Sequence, residues 1–354
     1  MPSHLFSPFT QRSLTFRNRI VVAPMCQYSA VDGFAEEWHL VHLGSRAVGG
    51  AGAVLVEATA VRPEGRITPG DLGLWSDAHV EPLSRITAFV RAHGCAAGVQ
   101  LAHAGRKAST SAPWEGGRLL APEAGGWIPE APSAIAFSDA YATPHALDEA
   151  GIARVIESFR HAAKRALAAG FEFVEVHAAH GYLLHEFLSP LANQRTDSWG
   201  GSIENRMRLT LEVTRAVREA WPADKPVWVR VSATDWADGG WNEGETVQLA
   251  HALKALGVDL VDCSSGGMVP HQKIPLAPGY QVPFAERVRR EAGIATGAVG
   301  LITDPKQAET ILAEGKADVI LLARQLLRDP YWPLRAAAEL GGEHPWPVQY
   351  LRAK

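Results

Sequence analysis

The chain has 354 residues, 47% hydrophobic and 20% charged, which is the composition of a folded globular protein and not of a disordered one. Its net charge of −4, with no block of Lys or Arg, excludes an electrostatic footprint for nucleic acid or an anionic membrane. The length fits one large α/β domain or two ordinary ones.

Residues 1–19 hold two short apolar runs around a polar turn, a hairpin pattern. Eight short, largely apolar runs then follow as candidate strands: Ile20–Pro24, Ala53–Glu57, Ala97–Leu101, Phe173–Val176, Val227–Val231, Leu260–Cys263, Ala295–Ala298 and Val319–Leu322. Their continuous hydrophobicity suits parallel strands covered on both faces. Between them lie helical patterns. Ile152, Val155, Ile156, Phe159, Ala163 and Ala166–Leu167 fall at helical spacing, with Arg and Lys interleaved. Asp304-Pro305 is a helix start, an N-cap acid before Pro at the first helical position. Gly170, Gly257 and Gly315 stand where helices should stop, just ahead of strands. Residues 104–147, rich in Gly, Pro, Ala and Ser, form a long excursion after the third strand, and 341–354 an irregular tail.

Eight β-then-α units predict a (β/α)8 TIM barrel spanning 1–354 as one domain, with the hairpin closing its bottom. A doubly wound sheet is the alternative, but no domain break is visible. The three cysteines, Cys26, Cys95 and Cys263, are odd in number and too few to staple the chain, so reduced thiols are expected. No signal-peptide pattern or membrane-length apolar run is present, and the expected location is the cytoplasm.

Barrel chemistry sits at the C-terminal ends of strands. The residues expected there are Met25 to Tyr28, Ala58-Thr59, Ala102-His103, His177 to Tyr182, Ser232, Ser264 to Gly267, Val299-Gly300 and Ala323-Arg324, with Gln100 and Arg230 inside strands. No lysine ends a strand, which argues against a Schiff-base aldolase. No carboxylate pair ends two strands, and Glu57 is the lone acidic candidate, which argues against acid/base glycoside hydrolysis. Gly50-Ala51-Gly52 precedes a strand and is no dinucleotide fingerprint.

Arg324 and Gly300 lie where barrel enzymes bind phosphate. Arg230 within a strand needs an anionic partner, either a protein carboxylate or charge on a cofactor. A phosphorylated cofactor with a ring that becomes anionic, as FMN does, would use both arginines. His177-x-x-His180 has metal-ligand spacing, with Cys26 as third ligand, or else supplies two hydrogen-bond donors to one substrate oxygen. Tyr182 could act as a proton donor or simply pack. Cys26 has no base beside it in sequence and could equally be a small buried hydrophobe.

The ordered segments Ala23-Pro24-Met25-Cys26-Gln27-Tyr28, Gln100-Leu101-Ala102-His103-Ala104-Gly105-Arg106-Lys107, Val176-His177-Ala178-Ala179-His180-Gly181-Tyr182, His185 to Pro190 and Gly200 to Arg206 resemble the Old Yellow Enzyme family of ene-reductases, in its thermophilic-like subclass with an active-site cysteine. The resemblance covers essentially the whole chain. It implies noncovalent FMN on the barrel, NADPH or NADH as reductant, and ping-pong reduction of activated C=C bonds. It further implies that Ala23, Pro24, Met25, Cys26 and Ala58 line the flavin, Gln100 meets its pyrimidine edge, Arg230 lies by the N1–C2 carbonyl, and Gly300, Ala323 and Arg324 hold its phosphate. His177 and His180 would bind the substrate carbonyl, Tyr182 would protonate Cα, and Cys26 and Tyr28 would contact substrate. Expected substrates are small-molecule enones, nitro compounds or quinones, with no nucleic acid or membrane partner. Arg352, in Gln349-Tyr350-Leu351-Arg352, resembles a tail arginine that crosses the interface of a homodimer or homotetramer. Three departures stand out: Ala323 where the family usually has Gly, Trp199 where it has Tyr, and an insertion-like stretch at 108–130. Outside the family, the competing readings are a flavin-binding redox sensor and a metal-dependent barrel hydrolase on His177, His180 and Cys26.

Overall fold

The computed structural model describes residues 3–354. Two short strands, β1 (Phe9–Gln11) and β2 (Leu14–Phe16), pair antiparallel as a hairpin. The chain then alternates: β3 (Ile20–Val22), α1 (Glu37–Val48), β4 (Ala53–Ala60), α2 (Val80–Ala92), β5 (Ala96–Ala102), two short paired segments β6 (Glu130–Ala131) and β7 (His145–Ala146), α3 (Glu149–Ala168), β8 (Phe173–Ala178), α4 (Leu183–Leu188), α5 (Ile203–Ala220), β9 (Val227–Ser232), α6 (Glu243–Ala255), β10 (Leu260–Ser264), α7 (Val282–Ala292), β11 (Ala295–Ala298), α8 (Pro305–Ala313), β12 (Val319–Leu322), α9 (Arg324–Arg328) and α10 (Trp332–Glu339). Strands β3, β4, β5, β8, β9, β10, β11 and β12 pair in parallel, and β12 returns to β3 to close the barrel. This is a (β/α)8 barrel. Among the described residues, no helix is long and apolar enough to cross a membrane.

Each strand alternates between two cores, which is why its run is apolar throughout. Outward residues such as Val22, Val54, Val99, Val174, Val229 and Val261 pack against the helices. Inward residues Val21, Leu55, Ala96, Phe173, Trp228, Leu260 and Leu321 fill the barrel, and Phe16 of the hairpin seals them from below. The Phe16 ring lies 5.5 Å from Phe173 and 5.7 Å from Trp228.

Helix boundaries follow local chemistry. Asp148 caps α3 by accepting from the Gly151 N–H at 2.7 Å, and Ile152, Val155, Phe159, Ala163 and Ala166 form the buried stripe. Asp304 accepts from the N–H groups of Lys306 and Gln307, with Pro305 opening α8. Gly170, Gly257 and Gly315 all take positive φ just past a helix end. Five strands run one to three residues further than the apolar pattern indicates: Ala58, Ala102, His177, Ser232 and Ser264 lie within strands, not after them. In β8, β9 and β10 backbone pairing continues where the side chains turn polar, at His177, Ser232 and Ser264, so hydropathy ends before the ladder does. The excursion at 104–147 carries only single 3-10 turns and the β6–β7 pair. The tail, expected to be irregular, ends in a 3-10 turn at Val348–Ala353.

Candidate active site

At the end of β3 the chain enters the mouth. The Ala23 N–H donates to the Leu322 carbonyl, which holds it against β12. Pro24, Met25 and Cys26 are half-buried. The next amide, Gln27 N–H, donates to Glu57. Glu57 is the extra residue of a bulge between Val56 and Ala58 in β4, and the bulge turns its carboxylate toward this loop. Its other oxygen lies 3.0 Å from His39 Nε2. Glu57 thus braces the Cys26 loop and is not a free acid. Burial pushes the Cys26 thiol up, so it stands as a neutral thiol. Tyr28 has φ 50°; burial first, then the neighbouring Cys26, raises its phenol, which stays protonated, and the exposed Trp114 stands edge-on to it at 5.7 Å.

The barrel interior below this loop is polar. Gln100 Nε2 donates to Glu175 Oε1 at 2.7 Å. Arg230 Nε lies 3.0 Å from Asp262 Oδ2. The anionic partner that an in-strand arginine requires is therefore a protein carboxylate. A reading by strand ends misses Glu175 and Asp262. The available signal is an acid at every-second-residue register inside an apolar run, Phe173-Val174-Glu175-Val176 and Leu260-Val261-Asp262-Cys263, which puts it in the barrel.

His177, His180 and Tyr182 come together at the end of β8. The two imidazoles lie 5.2 Å apart, nearly perpendicular, and the Tyr182 ring is 5.0 Å from His177. Burial, with the Arg230 charge second, holds both histidines well below their usual range, so both are neutral. Burial raises the Tyr182 phenol, which stays protonated. The loop is braced from behind. The Gly181 N–H donates to His185 Nδ1 at 2.9 Å. His185 Nε2 in turn sits 2.9 Å from Asp235 Oδ1, with both side chains fully buried. His180, at φ 60°, donates its N–H to Ser232 Oγ.

A lysine reaches this mouth although none ends a strand. Lys107, on the 3-10 turn Gly105–Lys107, donates to the carbonyls of His180 at 2.9 Å and Gly267 at 3.1 Å. Burial lowers its ammonium to about 8. With two hydrogens committed to carbonyls it ties two loops together.

Two cavities open here. One, of about 250 Å³, is lined by Ser264, Gln281, Gly300, Ala323, Arg324 and Arg328. Gly300 has φ 120°, and a Cβ there would lie 2.8 Å from Gln281 Nε2, so only glycine leaves the cavity clear. Ala323, where the family usually has glycine, keeps a negative φ of −100° but has ψ −99°, outside the α and β regions that alanine favours. The second cavity, of about 410 Å³, is lined by Tyr28, Lys107, Ser111, Gly116, Tyr141 and Tyr182. The 108–130 stretch thus walls the approach to Tyr182. Within it, Trp127 is an anchor: its Nε1 donates to the Glu64 carbonyl, and Arg66 stacks over its ring at 4.9 Å. Arg352 lies apart from both cavities, exposed on the tail. Among the described residues no three His, Cys, Asp or Glu side chains gather as a metal site, so His177, His180 and Cys26 do not form a ligand set.

The donor set suits a flavin mononucleotide: a clear glycine cradle beside Arg324 for a phosphate, and a guanidinium within the barrel for an electron-rich ring. The fold and site are those of an FMN-binding barrel oxidoreductase. A family model for the NADH:flavin oxidoreductase / NADH oxidase family matches residues 4–343. An NADPH dehydrogenase of Geobacillus sp. (strain WCH70) is 51% identical over 354 residues, 99% of each chain. Morphinone reductase superposes with a TM-score of 0.81 at 30% identity, over 98% of this chain and 92% of its own. A 2-naphthoyl-CoA reductase in complex with 2-naphthoyl-CoA gives a TM-score of 0.86 at 26% identity over 96% of this chain, which spans about half (52%) of that longer one. The chain belongs to the NADH:flavin oxidoreductase family, that is, to the Old Yellow Enzyme family.

Proposed function

We propose that this FMN-dependent, NADPH-oxidising enzyme is an ene-reductase of the active-site-cysteine subclass, reducing the C=C bond of α,β-unsaturated carbonyl compounds by a ping-pong cycle. The observation that carries this reading is the cluster of two neutral imidazoles and one protonated phenol at a single mouth. FMN, held by Arg230 at the ring and by Gly300 and Arg324 at the phosphate, would supply the two-electron chemistry that links NADPH oxidation to alkene reduction.

The chain's own residues polarise and protonate. His177 Nδ1 accepts from the Ala179 N–H at 3.3 Å, which leaves its hydrogen on Nε2 to meet a carbonyl oxygen. His180 Nε2 is 2.7 Å from Ser264 Oγ. For His180 to donate as well, the Ser264 hydroxyl donates its hydrogen bond to Nε2 rather than to Gln281 Oε1, and the imidazole hydrogen sits on Nδ1. Two donors on one oxygen draw charge from the alkene and leave Cβ electron-poor; each such donor is worth about 10²–10³ in rate. Tyr182 then gives its proton to Cα. Cys26, a neutral thiol, lines the site without attacking. Enones, nitro compounds and quinones all present an oxygen that two donors can hold. The protein acts in the cytoplasm, where its three free cysteines stay reduced.

The test is an anaerobic absorption experiment. The yellow protein bleaches with NADPH and recovers its colour with cyclohexenone. Tyr182→Phe slows the recovery by about 10²–10⁴ and leaves the bleaching near wild type. Equal loss of both half-reactions would sink the proton-donor role. Arg352 belongs to the same reading: it completes the site of a second copy in a homodimer or homotetramer. The exposed Val348 and Leu351 beside it are the apolar surface such a copy would cover. Arg352→Ala should weaken enone binding in the assembled protein, and a wild-type protein that sediments as a monomer at assay concentration rules the arrangement out.

A further inference from the structure

The barrel interior beneath the mouth holds two acids and one cation. Glu175 and Asp262 are fully buried and Arg230 nearly so. They sit on adjoining strands: Gln100 of β5 is level with Glu175 of β8, and Arg230 of β9 is level with Asp262 of β10. Arg230 Nε engages Asp262 Oδ2 at 3.0 Å. Glu175 meets only a neutral donor, Gln100 Nε2 at 2.7 Å. Glu175 Oε2 and both carboxylate oxygens of Asp262 have no hydrogen-bond partner among the described residues, so Asp262 is held to Arg230 by the ion pair. The charged groups acting on Glu175 are Asp262 and Arg230, and His177, two residues on, is neutral.

Two buried carboxylates against one guanidinium leave a surplus negative charge in a dry interior, which is unfavourable unless one of them keeps a proton. Asp262 has the cation as its direct partner, and Glu175 has an amide. We propose that Glu175 is held as a carboxylic acid in the resting protein, and that its neutrality keeps the Arg230 charge from being over-compensated beneath the flavin ring. Burial and the Asp262 charge both push the Glu175 carboxyl up, in agreement with that count. Glu175 touches neither substrate nor ring in this role; it is a positioning residue that sets the field of Arg230. If it ionises, the layer becomes net negative and opposes the electron-rich, reduced cofactor. Because an acid ionises as pH rises, the flavin potential should fall more steeply on the alkaline side. The consequence for FMN rests on Arg230 lining the ring, as proposed above; the assignment of the proton does not.

The two parts have separate readouts. Infrared difference spectra of the apoprotein should show a protonated-carboxyl carbonyl stretch in wild type that is lost in Glu175→Gln. It should also be lost in Asp262→Asn, where Glu175 becomes the sole partner of Arg230 and ionises. Identical wild-type and Glu175→Gln spectra in that region overturn the proposal, and so does a band that persists in Asp262→Asn. In the FMN-loaded protein, Glu175→Gln should keep the potential near wild type at neutral pH and lose the alkaline steepening. A Glu175→Gln potential clearly raised at neutral pH means that a carboxylate was removed, and refutes the idea. If Arg230→Met leaves the potential unchanged, the placement of Arg230 at the ring fails, while the infrared band still decides the protonation of Glu175.

Discussion

His180 shows how one hydroxyl decides what a residue can do. Its Nε2 is 2.7 Å from Ser264 Oγ, and Ser264 lies 3.4 Å from Gln281 Oε1. The same hydroxyl can accept from His180 or donate to it, and only the second choice leaves a hydrogen on Nδ1 for a substrate oxygen. Ser264→Ala removes the group that sets the tautomer. We expect reoxidation by cyclohexenone to slow by about tenfold or more, a fraction of the effect of losing an oxyanion donor outright. Reduction by NADPH should change little. A mutant with unaltered reoxidation would show that the tautomer does not depend on Ser264. Glu57 and His185 act one step further out. Each is a buried partner that fixes a backbone amide, Gln27 N–H in one case and Gly181 N–H in the other, directly beside a residue of the mouth.

The β1–β2 hairpin is the element with the clearest single task. It caps the open bottom of the barrel with Phe16, which is 1% exposed and packs on Phe173 and Trp228. Trp228 is bound from the same side, its Nε1 donating to Gln11 Oε1 at 2.7 Å. Truncating a buried aromatic removes its transfer energy and leaves a cavity that rigid strands cannot collapse around. Phe16→Ala should therefore cost about 3–5 kcal/mol, read from urea unfolding followed by tryptophan fluorescence. A loss under about 1 kcal/mol would mean that the hairpin only rests on the barrel. The opposite end of the barrel, with its excursion and short α4, holds the candidate active site.

At the scale of the whole molecule, stability should depend on pH through buried neutral histidines. His42 and His344 are both buried, and burial lowers them to about 3 and about 4. His344 Nε2 is held by the Gly50 carbonyl at 2.9 Å, joining the tail to the loop before β4. The unfolded chain protonates these imidazoles as pH falls through about 6.5, whereas the folded chain does not until near its own lower values. At these two histidines the unfolded state therefore binds more protons in that window, and their contribution to stability is lost as pH falls, while buried acids raised by burial, Asp71 to about 7 and Glu186 to about 8, contribute in the opposite sense. The loss should reach about 1–2 kcal/mol per histidine near pH 5. Urea midpoints at pH 7 and 5 for wild type and His344→Gln isolate the term: the variant should lose less, or gain more, between pH 7 and pH 5 than wild type does. An unchanged difference would assign the loss to other groups.

Much of this protein is legible in its order of residues. The eight apolar runs, the Asp304-Pro305 start and the glycine stops at 170, 257 and 315 depend on local backbone and burial rules, and those rules act within a few residues. The cluster at 177–182 is readable because all three side chains leave one strand end. The network of Gln100, Glu175, Arg230 and Asp262 is not, because each comes from a different strand and only the parallel pairing of β5, β8, β9 and β10 in register makes them neighbours. The same holds for Lys107. Its position in sequence puts it past a strand end, and its place at the mouth follows from two loop carbonyls that the fold brings within reach of its ammonium. Sequence set the elements and the chemical kinds at their ends; tertiary structure decided which charges face one another, and charge in a dry interior depends on nothing else so strongly.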